Sequence, residues 1–142
     1  MEADQLAITN QLARFARALD GRRWDDVPKI FAADVSFDYG EGECTGLEAL
    51  LAQFRKYLDV CGPTQHLLGS IELRFEDAGA VTRTYVQARH IGAGEQAHLT
   101  FDSHGDYADR WEKRASGWLI VRRDVRWLMH VGDPAVLRFG GT

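Results

Sequence analysis

The order of patterns along the chain predicts an α+β fold, with N-terminal helices packed on a strongly curved, mostly antiparallel sheet that encloses a pocket. Three observations predict it. Apolar residues recur at helical spacing only as far as Leu58. Four long stretches follow, from His66 to His130, parted only by the turn-rich pieces Asp77-Ala78-Gly79, Gly92-Ala93-Gly94 and Ser116-Gly117. Strands joined this closely pair as antiparallel neighbours. Finally, one face of these strands is apolar and carries few small residues, and a sheet of that kind tends to enclose a cavity when it curls. No repeat, low-complexity tract or linker divides the 142 residues, so one domain spanning 1–142 is expected.

In order, Ile8, Leu12, Phe15 and Leu19 mark an amphipathic helix from about Asp4 to Asp20, stopped by Gly21. A shorter helix starts at Asp25 or Asp26 with Pro28 in its first turn. Val35, Phe37 and Tyr39 alternate with Ser36 and Asp38, a strand that ends in Gly40-Glu41-Gly42. Thr45 is placed to cap a third helix with the stripe Leu47, Leu50, Leu51, Phe54 and Leu58, closed by Gly62-Pro63. The long strands are His66–Glu76, Ala80–Ile91, His98–Arg114 and Trp118–His130. In the third, Leu99, Phe101, Tyr107 and Trp111 share one parity and Asp102, His104 and Asp106 the other; in the fourth, Leu119, Val121, Val125 and Trp127 face one way.

The net charge of -4 argues against nucleic acid or an anionic membrane surface as partner, since either selects a basic surface. No apolar run approaches the roughly 20 residues of a membrane span, and no signal peptide is visible. Cys44 and Cys61 form neither a ligand pair nor a disulfide framework, which suits two structural thiols in a reducing cytoplasm. Phosphate loops, dinucleotide fingerprints, nucleophile elbows and zinc motifs are absent, so function is expected from scattered residues converging on a pocket, with no cofactor and no metal.

Asp20 stands in the last turn of the first helix, where the helix dipole disfavours an anion, and at the edge of the buried stripe; an exposed terminal Asp is the plain alternative. His66 shares parity with Glu72 and Arg74, which read as solvent-facing, so a bulge near Gly69 is required to turn it inward. Arg123 shares parity with Val121, Val125 and Trp127, which points it into an apolar cavity, and a buried guanidinium without a partner is costly. Either Asp20 or Asp109 pairs with it, or it receives an oxygen of a ligand. Tyr39, Tyr85 and Tyr107 can offer hydroxyls to the same space, although core packing is the commoner use of such residues. Asp102, His104 and Asp106 alternate along one face and could hold a metal, but a solvated strand accounts for them more simply. His90, His98 and His130 carry no better case.

The segment Phe15-Ala16-Arg17-Ala18-Leu19-Asp20-Gly21-Arg22-Arg23-Trp24-Asp25 resembles the first-helix ending of SnoaL-like proteins in the nuclear transport factor 2-like superfamily. Phe37-Asp38-Tyr39 and Thr64-Gln65-His66-Leu67-Leu68-Gly69 resemble segments of scytalone dehydratase. The hexachlorocyclohexane dehydrochlorinase and the bile-acid 7α-dehydratase are similar members. The resemblance implies a cone-shaped α+β barrel and a catalytic dyad of His66 and Asp20. It further implies substrate contacts from Tyr39 and Arg123, to which Tyr85, Tyr107, Phe37 and Trp127 are added as candidate substrate-binding residues. Leu19 stands where scytalone dehydratase has a second Tyr, its second His would fall at Ile91, with His90 one place off, and Tyr107 stands where it has an Asn. These departures argue against scytalone itself as substrate.

The resulting expectation is a cofactor-free, dehydratase-type lyase. His66 takes a proton from a small, mostly apolar oxygenated substrate, and Asp20 steadies the imidazolium. A polyketide cyclase or isomerase with the same dyad, and a non-catalytic ligand-binding or dimerisation module, remain the alternatives. The expected partner is a small-molecule substrate, and a homo-oligomer, dimer or trimer, is expected from the exposed sheet.

Overall fold

The computed structural model describes residues 2–138, so Met1 and 139–142 of the expected domain lie outside the described residues. Helix α1 (Glu2–Asp20) buries Ile8, Leu12, Phe15 and Leu19, the stripe expected from their spacing. Its end is sharp: the Gly21 N–H donates to the Arg17 carbonyl at 2.9 Å, and Arg22 takes a positive φ of 54°. The second expected helix is a 3₁₀ segment, Trp24–Lys29, with Pro28 inside it. Strand β1 (Phe31–Asp38) and the two-residue β2 (Cys44–Thr45) precede α2 (Leu47–Leu58). Thr45 belongs to β2, and Gly46, at φ 101°, occupies the cap position with no side-chain capping bond. That backbone conformation suits glycine and excludes a threonine cap.

Strands β3 (Thr64–Glu76), β4 (Gly79–Ile91), β5 (Thr100–Arg114) and β6 (Gly117–Gly132) form the long meander. The sheet order is β2-β1-β6-β5-β4-β3, antiparallel except for the parallel β1–β6 pair. It curls around the helices without closing, so the expected cone is open between β2 and β3. Phe15 of α1 meets Phe31 at 5.5 Å, Phe54 of α2 at 5.7 Å and Tyr107 of β5 at 5.9 Å, ring centre to ring centre. This aromatic knot joins both helices to the sheet, and truncating Phe15 to Ala would cost about 3–5 kcal/mol.

Besides an irregularity between Phe31 and Ser36 in β1, three register shifts decide which side chains of the meander face inward. One falls between Gly69 and Glu72 in β3, where Ser70 has φ 47°. It sets Thr64, His66 and Leu68 on the same side as Ile71, Leu73 and Phe75, as the inward reading of His66 required. Two more fall in the β5–β6 ladder, where Val121 and Leu128 are each the extra residue. Trp118 and Ile120, rather than Leu119 and Val121, therefore share the inner face with Arg123, Val125 and Trp127. Beyond Leu128, the inner position passes to His130, which pairs with Ser103. Gly105 lies under the second shift: a Cβ there would come within 2.7 Å of the Trp127 ring, so only glycine lets that indole lie flat on the strand.

The outward face of β4 and β5 is charged. Asp102 and Asp106 bond Arg89 and Arg83, so this alternating acidic row serves ion pairs across the surface. Tyr85 stands among these residues at 56% exposure, which removes it from the substrate-binding set. Its position alternates with the buried Thr84 and Val86, so its ring points away from the interior. No described helix is long and apolar enough to cross a membrane.

Candidate active site

The inner face of the curl, the end of α1 and the flank of α2 border a half-open cavity of about 370 Å³. Its wall is mostly apolar, with Leu19, Phe54, Leu58, Ala88, Phe101 and Leu137 prominent. Its polar wall groups include His66, His90, Ser103, His130, Tyr39 and Tyr107.

Asp20 ends α1 and reaches the first residues of β3. The His66 ring Nδ1 lies 2.7 Å from Asp20 Oδ1, the His66 backbone N–H donates to Oδ2 at 2.9 Å, and the Thr64 hydroxyl donates to Oδ1 at 2.9 Å. Burial raises the Asp20 pKa, but the bonds from His66 and Thr64 more than offset it and hold the carboxyl below its usual range. Because an ionised carboxylate only accepts, Nδ1 of a neutral His66 carries the hydrogen. Nε2 is then a lone pair on an imidazole that lines the cavity.

Arg22 fixes this corner. Its guanidinium donates to the carbonyls of Leu19 (2.8 Å), Leu58 (3.0 Å) and Gly62 (2.8 Å) and to the Thr64 hydroxyl (2.8 Å). One side chain thus joins the ends of α1 and α2 to the start of β3, and its bond to Thr64 directs the threonine proton onto Asp20. Sequence reasoning passed over Arg22; the positive φ that turns it back onto the helix end has no signature in a residue type that ordinarily avoids it.

Arg123 and Asp109 form a separate pair, both side chains wholly buried, with Nε–Oδ1 at 2.7 Å and Nη2–Oδ2 at 2.8 Å. Of the partners considered for Arg123, the carboxylate is that of Asp109. Burial works against the charge of Arg123, but Asp109 and Tyr39 outweigh it and hold the guanidinium above its ordinary range. The cation also lies 4.0 Å from the Tyr107 ring centre and 4.3 Å from that of Phe15. Arg123 is not among the residues that line the cavity. Its Nη1 donates to the Tyr39 hydroxyl at 3.3 Å. With that oxygen accepting, the Tyr39 proton is free for another acceptor, and burial raises the Tyr39 pKa, keeping the proton in place.

Tyr107 and Trp127 line the cavity as expected, and the Trp127 indole N–H donates to the Tyr39 carbonyl at 3.1 Å. Phe37 does not line it. Its ring is 1% exposed and packs edge-on against Tyr39, 6.2 Å between centres, so it belongs to the core.

Two histidines set aside in the sequence reading lie on the cavity wall. The His90 ring Nδ1 lies 2.7 Å from the Phe101 carbonyl, which only accepts, so Nδ1 carries hydrogen and Nε2 is an acceptor. Burial pushes the His90 pKa down to about 4, which keeps the ring neutral at pH 7. Its ring stands edge-on to His66, 5.8 Å between centres. The alternation Arg83-Tyr85-Gln87-Arg89 against Val86-Ala88-His90 was the signal that could have found it, and that also places Tyr85 outside. His130 was hidden by the Leu128 shift, which reverses the parity read from Val125 and Trp127.

Among known proteins, the family model described as a SnoaL-like domain matches residues 2–124. Uncharacterized proteins of Mycobacterium tuberculosis and Mycobacterium bovis are each 27% identical over 126 residues, covering 85% of this chain and 83% of the relative. A provisionally assigned scytalone dehydratase of Novosphingobium aromaticivorans superposes with a TM-score of 0.78 at 21% identity, covering 100% of this chain and 99% of that one. A hexachlorocyclohexane dehydrochlorinase of Novosphingobium barchaimii superposes with a TM-score of 0.79 at 15% identity, covering 99% and 96%. At these identities the likeness to solved structures shows a shared fold.

Proposed function

The chain belongs to the SnoaL-like domain family, and from that premise we propose that it is a cofactor-free lyase of the dehydratase type. The observation that carries the reading is the 2.7 Å contact of His66 Nδ1 with Asp20 on the wall of a largely apolar cavity. A neutral imidazole is a competent base near pH 7, and a carboxylate on its other nitrogen stabilises the imidazolium that forms.

In this reading His66 Nε2 removes a proton from the carbon next to a substrate carbonyl. The electron pair moves into the carbonyl, and the Tyr39 hydroxyl donates to the developing enolate oxygen. Arg123 acts through Tyr39, not by contact, because its bond to the phenol oxygen leaves the phenol proton for the substrate. The enolate then re-forms the carbonyl as the C–OH bond on the neighbouring carbon breaks. The proton held on Nε2 joins the departing hydroxide, so water leaves and a C=C bond remains. Acid and base act from one imidazole, so the elimination is syn. The same base can serve an isomerisation or an aldol-type cyclisation when the substrate lacks a leaving hydroxyl.

The test is a screen of β-hydroxy ketones for loss of water, followed by variants on the best substrate. His66→Ala should abolish turnover while circular dichroism stays that of the parent, and Asp20→Asn should retain a residue of activity. Full turnover by the His66 variant would overturn the dyad, whereas binding without turnover across the whole screen would favour a ligand-binding module.

A further inference from the structure

The histidine and serine pairing at the far side of the cavity has no part in the dyad or in the core. Cross-strand partners place His66 on β3, Ala88 on β4, Ser103 on β5 and His130 on β6 in one row across the inner face of the sheet. Neighbouring strands lie about 4.8 Å apart, so the backbones of His66 and Ser103 are about 10 Å apart before the curl shortens the span. Between them stands only the methyl group of Ala88. The row is a trough with a base at one end, a small apolar floor, and a polar pair at the other end.

That polar pair joins a buried serine to an exposed histidine. Ser103 is 4% exposed, and its hydroxyl lies 2.9 Å from His130 Nδ1. The His130 ring stacks on Phe101 at 5.3 Å with 12° between planes and leans on Trp127 at 5.6 Å. Trp127 is held by its bond to the Tyr39 carbonyl and lies over Gly105. The strand shift at Leu128 is what turns His130 toward Ser103. A serine hydroxyl offers one donor and two acceptor sites, and the imidazole uses one of these, so capacity remains on the cavity wall beside the apolar Ala88 and Phe101. Neither ring nitrogen of His130 is bonded to a carboxylate among the described residues, so the pair is not arranged as an activated nucleophile.

We propose that Ser103 and His130 form a second polar anchor, which binds a hydroxyl group on the end of the substrate remote from the carbon that His66 deprotonates. The substrate class is then a two-ring compound with an oxygen at each end, a carbonyl near Tyr39 and a hydroxyl near Ser103. This rests on the His66 reading only for which end is the reactive one. The hydroxyl both donates and accepts, which matches a Ser–His pair better than it matches the acceptor-only Nε2 of His90. The aromatic faces of Phe101 and Trp127 beside the anchor suit a ring that carries that hydroxyl.

The test compares 4-phenylcyclohexanone with 4-(4-hydroxyphenyl)cyclohexanone by isothermal titration calorimetry. Both have a carbonyl with adjacent protons and no leaving group, so they bind without elimination. The wild-type protein should bind the phenol about tenfold more tightly, the worth of one or two well-placed hydrogen bonds. Ser103→Ala and His130→Phe, the second chosen to keep the stack on Phe101, should each bring the two affinities within about twofold. His66→Ala should keep the tenfold preference. Equal affinities in the wild type, no binding of either ketone, or a preference that survives Ser103→Ala would overturn the anchor. The dyad is judged separately, by exchange of the ketone's α-protons in deuterium oxide: equal exchange by wild type and His66→Ala would reject the base and leave the anchor standing.

Discussion

Two inward-facing carboxylates, Asp20 and Asp109, each contact a nitrogen partner, and they live in opposite surroundings. Asp109 and Arg123 are sealed, each side chain wholly out of solvent, with two parallel bonds and aromatic rings beside the cation. Asp20 and His66 meet at the cavity wall, with the Asp20 side chain 23% exposed. In the sealed pair every strong bond is already made, so the pair holds position and meets the cavity wall through the Tyr39 hydroxyl and the Tyr107 ring. In the open pair one ring nitrogen is satisfied by Asp20 and the other faces the cavity. A buried ion pair organises, and in the proposed function the half-satisfied imidazole is the group that reacts.

Variants can break this contrast. The largest effect is expected from His66→Ala, which should lower kcat about 10³-fold or more on a substrate found by the screen while the denaturation midpoint barely moves. Arg123→Met should do the reverse. It strands Asp109 in the core and should cost about 3–5 kcal/mol of stability, read by urea unfolding, whereas Asp20→Asn should cost far less.

Next comes acid. The unfolded chain protonates its His90 near pH 6.5, but the folded protein resists until about 4. Below pH 6.5 the unfolded state therefore binds the extra proton, stability falls as pH drops toward 4, and the loss levels off beneath that. The loss should be about 3 kcal/mol, and His90→Phe should flatten the slope across that window. The smallest effect expected is that of Arg22→Gln. By freeing Thr64 from its double role it should lower kcat about tenfold with KM little changed, and steady-state kinetics on the same substrate would show it.

How much of this could be read in the chain itself follows from local pattern. The four-three-four spacing of Ile8, Leu12, Phe15 and Leu19 placed Asp20 at a helix end beside the core, and the helix is there. Strict alternation located β3 to β6 to within two residues at each end. The bulge that His66 required near Gly69 is present. What alternation cannot carry is its own interruption. The shifts at Val121 and Leu128 leave no mark in residue type, so Trp118 and Ile120 were placed outside and His130 was passed over. Pairing of Arg123 with Asp109, fourteen positions apart on adjacent strands, needed the β5–β6 register, which those same shifts set. Tyr85 was a simpler error: its neighbours Arg83 and Gln87 already pointed out.

The central claim, that Asp20 fixes His66 with its lone pair toward the cavity, is tested most directly by the nitrogen-15 spectrum of the His66 ring near pH 8. The account predicts a protonated, pyrrole-type Nδ1 and a pyridine-type Nε2, with that preference lost in Asp20→Asn. A His66 carrying its proton on Nε2, or one whose spectrum is indifferent to Asp20→Asn, would contradict it.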